Sequence, residues 1–93
     1  MKIEIKETAT KGSAFIPQDG KVLAEMTYSK ASSELIIIDH TEVDTSLSGK
    51  GVGKMLLMAI VEKARKDNFK ILPLCPFARS IFEKDESISD VLR

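Results

Sequence analysis

The most constraining feature of the sequence is a change of hydrophobic period at a glycine-rich joint. Upstream of it, "LIIIDHTEV" (Leu35 to Val43) is a nearly continuous apolar run, as expected of a strand covered on both faces. Beyond "LSGKGVGKMLL", Val52, Met55, Leu56, Ala59, Ile60 and Ala64 recur at helical spacing, and Leu57, Met58 and Val61 widen the stripe. Lys54, Glu62, Lys63, Arg65 and Lys66 mark the wet side, with basic residues near the end suiting the helix's negative pole. So broad an apolar face must lie on a sheet. Asn68 is placed to stop the helix, and "FKILPLC" supplies a short buried strand whose ladder Pro73 limits. A strand, a helix and a strand joined in this way run parallel through a right-handed crossover.

The first half of the chain alternates instead. "KIEIKE" sets Ile3 and Ile5 against Lys2, Glu4 and Lys6 and predicts a half-buried edge strand. In "SAFIPQDGKVLAEMTYS" a turn over Pro17 to Gly20 joins two β-prone runs, with Val22, Ala24, Met26 and Tyr28 alternating after it. "SKASSE" predicts a second polar turn. Four consecutive antiparallel strands therefore precede the joint. A second helix follows it, "PFARSIFEK", with Pro76 in its first turn, and the tail "DESISDVLR" is polar enough to fray or lie loosely. The expected fold class is α+β (mixed α/β layers), a twisted mixed sheet packed by two helices.

Ninety-three residues leave room for one core, so residues 1–93 are expected to form a single domain. Fourteen basic residues balance fourteen acidic ones, which disfavours a phosphate-tracking nucleic-acid surface. A lone cysteine makes no internal disulfide, and no amino-terminal apolar stretch reads as a signal peptide or membrane span, so a cytoplasmic protein without membrane partners is expected.

A glycine loop running from a strand into a helix commonly presents N–H groups to an anion. The dinucleotide fingerprint fails here, because the places for its third glycine hold Lys54 and Leu56. A Walker-type loop fails as well, with Ser48 where a glycine is needed and Met55 where a hydroxyl is needed. What remains is Ser48-Gly49-Lys50-Gly51-Val52-Gly53-Lys54, three alternate glycines that let a diphosphate approach the main chain. The plainer alternative is a tight turn with a helix cap.

These residues resemble the GNAT superfamily of acyl-CoA N-acetyltransferases. In that family a Gln/Arg-x-x-Gly-x-Gly/Ala loop holds the coenzyme A pyrophosphate through main-chain N–H groups, and "SGKGVGKMLL" matches it at Gly51 and Gly53, with Ser48 in place of Gln or Arg. "CPFARSIFEK" is similar to the family's Asn-x-x-Ala-x-x-x-Tyr-Glu-Lys helix at Ala78, Glu83 and Lys84, with Cys75 in place of the asparagine and Phe82 in place of the tyrosine. The resemblance covers about residues 20 to 85. It implies that the fourth and fifth strands splay, that the pantetheine arm lies between them on the main chain of Thr41, Glu42 and Val43, and that the diphosphate lies over Ser48, Gly49, Lys50, Gly51, Val52, Gly53 and Lys54. Acetyl-CoA or coenzyme A is then the co-substrate, with no metal, and an unidentified amine is the acceptor.

Two departures bear on mechanism. Many members use the helix tyrosine as general acid toward the departing thiolate, and Phe82 has no proton to give. Glu7 to Ser13 leaves almost no room for the helices that wall the acceptor site, so that side should be open. The chain looks most like the short, single-domain YjdJ-type group, whose members pair a cysteine at the asparagine place with a histidine on the fourth strand; Cys75 and His40 fit that pattern. Cys75 also precedes a proline at the expected N-cap of the last helix, where the dipole favours a thiolate. Its plainer reading is an inert small apolar residue. With unbroken alternation His40 shares a face with Ile36, Ile38 and Glu42, and its plainer reading is a structural histidine. It could take a proton from an amine or from Cys75, with Asp39 and Glu42 nearby. Phe77 and Phe82 read as core packing.

The activity expected is acetyl transfer from coenzyme A to an amine, either directly with His40 assisting or through an acetylated Cys75. The alternatives are a module that binds or senses acyl-CoA without transfer, and a small interaction domain whose glycine loop is structural.

Overall fold

The computed structural model describes residues 2–93. Five strands form one sheet in the order β1 (Glu4–Glu7), β2 (Lys11–Gln18), β3 (Lys21–Ser32), β4 (Leu35–Val43) and β5 (Lys70–Pro73). The first four pair antiparallel, and β4 pairs with β5 in parallel through the crossover helix α1 (Val52–Asp67). Helix α2 (Pro76–Lys84) follows β5. This is the mixed α/β architecture expected from the sequence.

Local chemistry sets the boundaries. Asp19 and Gly20 both have positive φ (51° and 77°), the two-residue hairpin turn whose twist matches that of its strands. Asn68 closes α1 in the left-handed conformation and donates its N–H to the Ala64 carbonyl. Helix α1 buries Leu56, Leu57, Ile60, Val61 and Ala64 against Ala14, Met26, Tyr28 and Ile38 of the sheet, whereas Met55 lies outside the stripe and is exposed.

Two further expectations are corrected. Strand β3 does not end near Tyr28 but runs to Ser32, because the polar residues Ser29 to Ser32 still find backbone partners on β2 and β4. The tail does not fray. Its 3₁₀ segment Glu86–Val91 buries Ile88 and Val91 in the common core. The Arg65 guanidinium on α1 fastens it from outside, donating to both Asp90 carboxylate oxygens (3.0 Å each) and to the Ser87 carbonyl (2.9 Å). Burying two aliphatic side chains offsets the ordering of this short segment, at about 1.5–3 kcal/mol each.

One row across the sheet ties β1 to the core. Glu7, Gly12 and Tyr28 lie in register, and a Cβ on Gly12 would overlap the Tyr28 ring. The missing side chain lets the phenol cross β2 and donate its hydroxyl proton to Glu7. Lys30 (3.0 Å) and Lys63 of α1 (3.8 Å) approach the same carboxylate. Burial and the Glu7 hydrogen bond push the Tyr28 phenol well above its ordinary range. For Glu7, burial opposes ionisation, but the Tyr28 and Lys30 hydrogen bonds and the charge of Lys63 outweigh it and hold the carboxyl below its usual 4.5. A carboxyl depressed on folding contributes stability above its unfolded pKa and loses it as pH falls through the folded value. Glu7→Gln is therefore expected to cost about 1–3 kcal/mol at neutral pH. In urea titrations the gap from wild type should narrow steadily below pH 4.5; a gap of constant size down to pH 2 would contradict this origin.

Candidate functional site

Strands β4 and β5 stay together only as far as the pair Ile38 and Pro73. Proline has no N–H with which to continue the ladder. The Ile38 carbonyl instead receives the N–H groups of both Leu74 (3.0 Å) and Cys75 (3.1 Å), which draws the start of α2 across the end of β5. Strand β4 continues to Val43 paired with β3 alone. Its other edge, from Asp39 to Val43, borders a gap.

A register shift redirects the side chains along that edge. Thr27 pairs with His40 but Tyr28 pairs with Ile38, so Asp39 is the extra residue of a β-bulge. Beyond it Thr41 and Val43 stand opposite Met26 and Ala24, on the buried face with Ile36 and Ile38. His40 and Glu42 stand opposite Thr27 and Glu25 on the other face. The expectation that His40 and Glu42 share a face with Ile36 and Ile38 is overturned, because the bulge breaks the alternation on which it rested.

The two nominated catalytic residues are consequently separated. Cys75 is buried at the N-cap of α2, with its Sγ 3.2 Å from the Thr41 Oγ1. The His40 side chain is 63% exposed, and its Nε2 lies 2.9 Å from the Glu42 Oε1. Thr41 is brought to Cys75, and His40 is not. The family resemblance implies a role for Thr41 only through its main chain; the bulge turns its hydroxyl toward the thiol.

The glycine loop occupies the carboxyl end of β4. Asp44 starts a 3₁₀ turn over Thr45–Leu47 by accepting from the Ser46 N–H (2.9 Å) and hydroxyl (2.6 Å), bonds that hold its carboxyl below the usual range. Leu47 anchors this turn in the core. Gly49 and Gly51 then take φ of 77° and 70°. A Cβ at either would meet open space, so the left-handed backbone rather than crowding reserves both places for glycine. Gly51 is the N-cap of α1 and offers no capping side chain. The N–H groups of Gly49, Lys50, Gly51, Val52, Gly53 and Lys54 consequently find no acceptor among the described residues. Six consecutive donors without a well-placed internal acceptor, at the positive end of a helix dipole, are chemically suited to an anion. Lys50 and Lys54 flank them, exposed, with the Lys54 Nζ 3.9 Å from the Asp85 Oδ2.

Gly53 has a second purpose. A Cβ there would overlap the Phe77 ring, so its bare backbone lets the first turn of α1 approach α2. Phe82 is buried and Phe77 half-exposed, its ring covering that glycine.

A splayed parallel pair, a bulge on the fourth strand and a donor-rich loop opening the next helix define an N-acetyltransferase type of fold. The model of the GCN5-related N-acetyl-transferase family matches residues 13–91. The chain belongs to that family. A GCN5-like protein from Staphylococcus aureus, solved by NMR, is 43% identical, with a TM-score of 0.73 over 97% of this chain and 87% of its own. Tetrahymena GCN5 shares the fold at 18% identity and a TM-score of 0.66, over 83% of this chain and 51% of its own. A GNAT family acetyltransferase from Elizabethkingia anophelis, solved with acetyl-CoA bound, shares it at 13% identity and 0.62, over 81% and 52%. The chain thus spans about half the length of these last two. No curated protein matches it.

The packing of Gly53 on Phe77 is testable without any ligand. Gly53→Ala should destabilise by about 1–3 kcal/mol through overpacking. In a double-mutant cycle Phe77→Ala should relieve most of that cost, giving a coupling of about 1 kcal/mol or more in denaturant titrations. Additive costs would show that the overlap is not what reserves the position for glycine.

Proposed function

We propose that the chain is an acetyl-CoA-dependent N-acetyltransferase of the short YjdJ-type group. In this reading the acyl donor's diphosphate is held by the N–H groups of Gly49 to Lys54, and its pantetheine arm hydrogen-bonds to the free edge of β4 at Thr41, Glu42 and Val43. The single observation that carries this is the run of six acceptor-free N–H groups at the mouth of a gap between parallel strands. Membership of the family and the likeness to a protein solved with acetyl-CoA support it.

Transfer is direct. The amine nitrogen bonds to the acetyl carbon, the carbon–sulfur bond breaks, the amine proton passes to His40, and the thiolate leaves with coenzyme A to be protonated afterwards. His40 suits this because Glu42 Oε1 engages its Nε2 and leaves its Nδ1 for the amine. An acetyl-Cys75 intermediate fits less well. The thiol is buried and its polar neighbour is the Thr41 hydroxyl, which is no base, while His40 lies on the other face of β4. Cys75 and Thr41 instead close the end of the gap where the acyl group would sit. A second reading, binding or sensing without transfer, draws on Phe82, which is buried and carries no proton for the leaving thiolate.

Calorimetry, turnover with an amine panel and intact mass separate these readings. Coenzyme A should bind at one site per chain, and His40→Ala should lower kcat about a hundredfold with coenzyme A affinity unchanged. Acetyl-CoA alone should add no mass, and Cys75→Ala should retain most activity. A stable gain of one acetyl group that vanishes in Cys75→Ala would establish the covalent route, and binding without turnover on any amine would leave a sensor.

A further inference from the structure

We propose that the cavity on the open face of the sheet is a subsite for a second ammonium group of the acceptor, so that the preferred acceptor is a small diamine. This rests on the acetyltransferase reading and names its substrate class. The cavity, about 410 Å³, lies over β1 to β4 and is lined by Lys6, Ser13, Glu25, Thr27 and Asp39 among others. It adjoins the proposed reaction site through Asp39, the bulge residue between Ile38, which anchors the start of α2, and His40.

Three observations fix the ligand's charge. Ser13 is 2% exposed, and its Oγ has no hydrogen-bond partner, a rare condition for a buried hydroxyl. Its cross-strand neighbours Lys6 and Thr27 place that hydroxyl on the face over which the cavity lies. Asp39 is set in advance for binding, because Thr27 Oγ1 donates to its Oδ1 (2.6 Å) and Ser29 Oγ to its Oδ2 (3.1 Å), leaving further lone pairs on both oxygens. Finally, Glu25 stands directly opposite Glu42, a like-charge pair that weakens an isolated sheet and that a bound cation would relieve. Lys6 lies 3.7 Å from Glu25 and over the Phe15 ring (4.8 Å to its centroid) and is 61% exposed, a surface pair that an incoming ammonium can displace. Lys11 stands exposed at the cavity's far rim, opposite Ser29. An ammonium offers three N–H donors, which matches the carboxylates of Asp39 and Glu25 and the Ser13 oxygen. Held there, it leaves the other amine of a short chain beside His40.

The test compares three ligands of similar length by calorimetry on the coenzyme A-loaded protein: 1,4-diaminobutane, butylamine and 4-aminobutyrate. The diamine should bind about tenfold or more tightly than either, as a charge-assisted contact requires. Asp39→Asn and Glu25→Gln, which keep the side-chain shape and remove only the charge, should each remove most of that advantage. Ser13→Ala should weaken it further, and coenzyme A affinity should be unchanged in all three. Equal binding of the diamine and butylamine, or tighter binding of 4-aminobutyrate, overturns the proposal while leaving coenzyme A binding intact. If coenzyme A itself does not bind, the acetyltransferase reading fails separately, and the same three ligands on the free protein still decide whether the subsite selects a second ammonium.

Discussion

The parting of β4 from β5 is the constraint on which the rest depends. A single carbonyl, that of Ile38, takes the N–H groups of Leu74 and Cys75 and so ends a parallel ladder that Pro73 could not have extended. From that point the chain gains a free strand edge beside a glycine loop, and the loop's own amides are also without acceptors. Unpaired backbone groups are tolerated where water or a ligand reaches them, and rarely elsewhere. The structure concentrates them in one place.

The loop shows what this concentration costs. Gly51 in the left-handed conformation gives α1 an N-cap with no side-chain acceptor, which costs the helix about a few tenths of a kcal/mol relative to a serine or aspartate cap. Stability is recovered further along, where five buried residues of α1 pack on the sheet and the ring of Phe77 closes over Gly53. The donors stay free while the elements that carry them are held rigid. The bulge at Asp39 plays the matching part on the strand, turning Thr41 toward Cys75 and His40 toward the open face within two residues. Thiol and imidazole thereby lie on opposite faces of β4.

Much of the fold is legible in the sequence because strong local signals agree with one another. The Asp19-Gly20 hairpin, the helical stripe from Val52, the stop at Asn68 and the N-cap at Cys75 are all written within a few residues of where they act. The candidate site is legible only in part. The glycine loop announces itself by composition, but an extra residue at Asp39 leaves no mark in an apolar run, so the side on which His40 falls cannot be read from alternation. The anchored tail and the overlap at Gly53 depend on partners far along the chain, Arg65 for Asp90 and Phe77 for Gly53. Within the tail itself only the apolar residues Ile88 and Val91, three places apart, carry a local signal for packing.

The central claim is that the loop amides and the free edge of β4 together grip a pyrophosphate and its extended arm. Amide chemical shifts followed during titration with coenzyme A test this most directly. The account predicts that Gly49 to Lys54 move most and saturate together with Thr41, Glu42 and Val43, while the Glu7–Gly12–Tyr28 row stays still. A titration that saturates with the loop glycines unmoved would contradict it.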